Sequence, residues 1–167
     1  MSSAERASDP ALVVLDTSAL RDVRERIRAA GPSDCDAFVV VDLGDRGLSA
    51  TVVDAESGVR VGERTDSDLA PRMLDRAIVD HLTATGRVAR PESDEWADEL
   101  LGLVTGLRGT LVTAEGAFAM GAEHVGLVRV SRSDLVVALH PYLMTAAALW
   151  QSVVSECART VGALVFL

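Results

Sequence analysis

Residues 37–54, AFVVVDLGDRGLSATVVD, decide the fold. Val39 to Val41 and Ala50 to Val53 are two runs rich in β-branched residues, each closed by an aspartate, Asp42 and Asp54. Between them lie Gly44, Asp45, Arg46 and Gly47, residues that favour a tight turn. The pattern predicts two strands joined as a hairpin. It also fits a second chemistry. A carboxylate at a strand end orients hydrated Mg²⁺, and glycines let backbone N–H groups approach phosphate oxygens.

Working outward, Glu56-Ser57-Gly58 reads as a second turn, and residues 59–63 as a third antiparallel strand. On the N-terminal side, residues 1–10 are polar and read as a disordered tail, and residues 11–15 as a short strand. Residues 19–30 read as a helix with Leu20, Val23 and Ile27 on one face. That strand and helix are expected to add to the sheet beside Val39–Val41. On the C-terminal side, Leu69, Met73, Ala77, Ile78, His81 and Leu82 recur at helical spacing, and Gly86 ends the run. Ser93 is a good N-cap for a second helix bearing Trp96, Leu100, Leu103, Val104, Leu107 and Leu111. Residues 116–120 and 124–130 suggest a hairpin. A final helix from Ser131 or Ser133 places Leu135, Leu139, Leu143, Ala147 and Trp150 on one face, with a kink expected at Pro141. Residues 162–167, GALVFL, read as a last, buried strand. The fold class expected is α/β (α+β): a three-stranded antiparallel meander, then helices and a small hairpin, in one domain over residues 11–167.

Composition narrows the function. The chain has 167 residues, 49% of them hydrophobic and only 4% aromatic, so its core is aliphatic. The net charge of −9 argues against nucleic-acid binding, which needs clustered cations on the phosphate backbone. The longest apolar stretch, residues 135–150, is too short for membrane insertion. Cys35 and Cys157 have neither metal nor disulfide spacing, which points to a reducing, cytoplasmic setting.

Other chemistry-bearing residues read blandly. His81 falls on the apolar side of its helix, and His124 and His140 lack partners at metal-ligand spacing. Ser18, Ser49 and Ser133 have no nucleophile context, so no catalytic set emerges. Glu92, Asp94, Glu95, Asp98 and Glu99 surround a helix start, where the dipole favours them; a basic partner is the sharper alternative.

Three stretches resemble the second half of the ATPase domain of DnaK-type heat-shock chaperones, within the actin-like ATPases. VVVDLGDRGLSATVVD is similar to that family's second phosphate loop, LDRAIVDHL at residues 74–82 to a following helix, and LRGTLVTAE at residues 107–115 to a later segment. VGLVRVSRSDLVVALHPYL, residues 125–143, resembles what comes next. The order spans residues 37–167 and implies one lobe of that fold, subdomain IIB and part of IIA. If nucleotide binding is retained, the resemblance implies ATP and Mg²⁺ as cofactors, held by Asp42, Gly44, Gly47 and Arg108. The departures point the other way. Asp45 places a second carboxylate where a triphosphate would sit, and like charges repel. The family's Gly-Gly-Glu falls on Ala70, Pro71 and Arg72; of its adenosine-side positions, on Thr105, Arg108, Gly109 and Val112, only Arg108 keeps the character. The expectation is a non-catalytic protein-interaction or regulatory module without a cofactor, partnered by another protein or by itself as a homodimer. The alternative is part of a functional ATPase whose other lobe lies elsewhere. A third reading is weaker: ALVVLDTSAL, residues 11–20, is similar to the opening of PIN-type ribonucleases, in which Asp16 would bind a metal.

Overall fold

A computed structural model describes residues 17–30 and 35–167. The expected tail, the strand at residues 11–15 and Asp16 lie outside the described residues. The elements are α1 (Thr17–Ala30), β1 (Ala37–Gly44), β2 (Gly47–Asp54) and β3 (Arg60–Asp66). A single 3₁₀ turn (Ser67–Leu69) precedes α2 (Pro71–Ala84) and α3 (Asp94–Thr110). Then come β4 (Gly116–Met120), β5 (Leu127–Ser131), α4 (Arg132–Glu156) and β6 (Val161–Phe166). This is a mixed α/β fold, as the alternation of periods implies.

The four-stranded sheet has the order β3-β2-β1-β6. The short connections make β1, β2 and β3 a meander. β6 runs parallel to β1, with Val39 opposite Leu164 and Val41 opposite Phe166. The place beside Val39–Val41 expected for an N-terminal strand is therefore taken on both sides, by β2 and by β6. β6 is also not the buried strand its composition suggests. Leu164 is 39% exposed and Phe166 73%, because among the described residues β6 ends the sheet and gains a neighbouring strand on one side only.

The described residues form two compact units. One holds those up to Asp42 together with Ser49–Thr65 and Leu149–Leu167; the other holds Leu43–Leu48 and Asp66–Ala148. In the first, Phe38, Val40 and Val53 are buried, and Val23 of α1, Ala163 and Val165 pack against them. The expectation for Val23 is met; Leu20 and Ile27 have side chains outside the described set.

In the second unit, α2 packs on α3, and α3 on the β4–β5 hairpin. Ile78, Leu82, Leu100, Val104, Leu107, Val128 and Val130 form the core. The stops and starts follow local chemistry. Pro71 occupies the first turn of α2, where its missing N–H costs nothing. Gly86, at φ +69°, ends that helix: Arg87 N–H bonds Leu82 O and Gly86 N–H bonds Thr83 O, a paired αL cap. Ser93 Oγ accepts from Trp96 N–H at 3.2 Å and opens α3. β5 begins at Leu127 rather than near His124, because the backbone of residues 122–124 turns inward onto Glu99. α4 runs on through Pro141. Its face differs from the expected one: Leu143 is 59% exposed, while Asp134 and Ala138 are buried.

Candidate functional site

Asp42 stands exposed on β1, in the first unit. Gly44 and Gly47 flank the turn residues Asp45 and Arg46, and Arg108 lies on α3; all belong to the second unit. Gly47 has φ +127°, a conformation that side chains avoid. A Cβ there would sit 2.1 Å from Asp66 O. The glycine thus answers to the chain's own backbone: it lets the start of β2 press against the end of β3. Gly44 is absent from the positive-φ positions of the described residues.

Arg108, the side chain expected to face an adenosine, turns to α2. Its Nε donates to Asp75 Oδ1 at 2.5 Å, and Nη2 reaches Oδ2 at 3.5 Å. Thr105, one turn earlier on α3, donates its hydroxyl to Asp75 Oδ2 at 2.9 Å and also to Leu101 O at 2.9 Å. Asp75 is 3% exposed. A buried carboxylate needs such partners, and a forked guanidinium supplies two at once. Arg108, of the expected nucleotide set, and Thr105, a position where that family's contact is replaced, therefore serve to join α2 to α3.

A second polar cluster opens α4. Ser131 Oγ accepts from Asp134 N–H at 3.2 Å, while Asp134 Oδ2 accepts from Ser131 N–H at 2.9 Å and from its hydroxyl at 2.6 Å. This reciprocal pair is a capping box. Arg87 donates to the same Oδ2 at 2.8 Å, and His81 Nε2 lies 3.6 Å from Oδ1. Burial alone raises the Asp134 pKa; the Ser131 bonds, Arg87 and His81 outweigh it and hold the carboxyl below its usual range. His81 is semi-buried, as its helical position implied. A serine, a histidine and an aspartate meet here, but Ser131 bonds Asp134 directly and acts as a cap.

Glu99 fills a third arrangement. Its carboxylate accepts backbone N–H groups of Ala122 at 2.5 Å, Glu123 at 3.1 Å and His124 at 2.9 Å. Three amides converging on one anion form a nest. The bonds from His124 and Glu123 foremost lower the Glu99 pKa. In the sequence Glu99 reads as one of a solvated acidic group, because nothing local announces a loop 23–25 residues away that folds over it.

The first unit holds a cleft of about 380 Å³ lined by Arg24, Cys35, Asp36, Asp54, Glu56 and Arg159. It lies at the N-terminal end of β1, the end opposite Asp42. Arg159 spans Asp36 Oδ2 at 3.5 Å and Asp54 Oδ2 at 3.3 Å. Ser57 donates its backbone N–H and its hydroxyl to Asp54 Oδ1, each at 2.8 Å, and these bonds chiefly lower the Asp54 pKa. Of the lining charges, Arg159, Asp36 and Asp54 are paired with one another, and Asp54 also holds the turn. Among the described residues, no three His, Cys, Asp or Glu gather to hold a metal, and no helix is long and apolar enough to cross a membrane. Comparison with protein-family models and with curated proteins finds no match to this chain.

Proposed function

We propose that this chain is a protein-interaction module that neither binds nor hydrolyses ATP, related to the second lobe of the chaperone ATPases. The observation that carries the reading is the commitment of Arg108 and Thr105 to Asp75. Side chains that would meet a nucleoside in the family resembled are spent here on holding two helices together. Gly47, pressed on Asp66, supports the same view. So does Asp45, whose charge opposes a triphosphate. Interaction is favoured by large apolar groups left in solvent: Phe118 and Met120 on the hairpin, Val136, Val137, Leu143 and Met144 on α4. The net charge directs the module towards protein rather than nucleic acid, and two free cysteines suit a reducing cytoplasm.

The test is nucleotide-linked stabilisation. Melting of the wild-type chain and of Asp42→Ala is followed with and without ATP and Mg²⁺. Ligand binding to the folded state alone raises the melting temperature. For each protein, nucleotide should leave the melting temperature unchanged. A rise confined to the wild type would instead support the retained-ATPase alternative, with Asp42 holding the metal.

A further inference from the structure

No Asp, Glu, Lys or Arg occurs in α4 between Asp134 and Glu156. One side of the helix is accounted for: Leu135, Ala138 and Leu139 belong to the second unit's core or pack against it. The other side is not. Val136, Val137, Leu143 and Met144 are 56%, 60%, 59% and 60% exposed, and exposed His140 lies among them. At helical spacing these five positions form one continuous stripe.

The stripe is symmetric about position 140. Val136 and Val137 lie four and three residues before His140, and Leu143 and Met144 three and four after it. Reversing the helix direction leaves this pattern unchanged. Two copies of α4, antiparallel about a two-fold axis at His140, set Val136 and Val137 of each copy against Leu143 and Met144 of the other. One heptad further out, Ser133 would face Ala147. This is the self-complementarity that a two-fold interface requires. Charge does not oppose this occupant at the stripe. Two chains at −9 repel, so the surface on which they meet must be free of like charge, and the stripe is.

Resting on the interaction-module reading, we infer that the outer stripe of α4 is the contact surface for a second copy of this chain. Five side chains per copy make a small interface, so association is weak, with a dissociation constant on the order of micromolar.

Sedimentation velocity of the full chain across a concentration series tests this. The wild type should pass from monomer to dimer. Val137→Glu and Met144→Glu alter exposed positions, so melting of the dilute monomer should be unchanged, yet each should weaken the dimer about tenfold or more by burying unpaired charge. Phe118→Ser, on the hairpin, should leave it intact. If the glutamate variants fail to fold, the register is read from His140→Cys in a Cys35→Ser/Cys157→Ser background, which keeps the four apolar side chains. Mild oxidation should then link two chains through position 140. A wild type that stays monomeric, a dimer indifferent to both glutamates, or a cysteine pair that does not close would overturn the inference. A monomer would leave the nucleotide result untouched; nucleotide stabilisation of a dimer would overturn the proposed function and not the dimer.

Discussion

Arg108 Nε lies 2.5 Å from Asp75 Oδ1, across the seam between α3 and α2, with the carboxylate 3% exposed. The contact turns a residue suited to a ligand into part of the fold. Arg108→Ala would strand a buried carboxylate with only Thr105 as partner. It should destabilise the chain by about 1–3 kcal/mol, read by urea unfolding. Asp75→Asn, which keeps the shape and can still accept, should cost less. A ligand-facing arginine would instead leave stability unchanged when removed.

Glycines on this chain should divide by environment. Gly47→Ala meets Asp66 O and a φ of +127° at once, and should cost more than about 2 kcal/mol. Gly102, inside α3 with nothing within 4 Å of an added methyl group, should gain about 0.5–1 kcal/mol as Gly102→Ala. Denaturant midpoints of the two variants should move in opposite directions.

Acid should weaken the second unit through Asp134. Its folded pKa lies below the ordinary value of 3.8, so the folded state favours the carboxylate. That stability is fully present above the unfolded pKa and is lost as pH falls through the folded one. Melting temperature should therefore fall as pH drops below about 4, the carboxylate range. Asp134→Asn should start lower at pH 7 and fall less steeply. Asp54 and Glu99, lowered in the same direction by turn and loop amides, add to the wild-type slope.

Glu99 is the anion that the 122–124 amides need. Glu99→Ala should raise hydrogen exchange at Ala122, Glu123 and His124, while amides of the β4–β5 ladder stay protected. Equal protection in the variant would mean that the loop is held by other means.

What is legible from residues alone is local. The Gly-Asp-Arg-Gly turn, the Ser93 cap, the Gly86 stop and β4 all depend on neighbours within a few positions, and each lies close to where its residues put it. The exposure of Leu143 runs against expectation because helical periodicity reports two apolar stripes on α4 and cannot say which one the core takes. The position of β6 is hidden for another reason. Its register against β1 joins residues more than a hundred apart, such as Val39 and Leu164, and no local signal encodes that pairing. Shorter separations still hide the partners of Asp75, 30 and 33 residues on, and of Glu99, 23 to 25 residues on. Asp134 has Ser131 three positions before it, but Arg87 lies 47 residues away.

Calorimetric titration of the full chain with ATP in excess Mg²⁺ tests most directly whether the nucleotide site has been lost. No binding heat is expected up to nucleotide concentrations on the order of 1 mM. Saturable micromolar binding, abolished by Asp42→Ala, would contradict the loss.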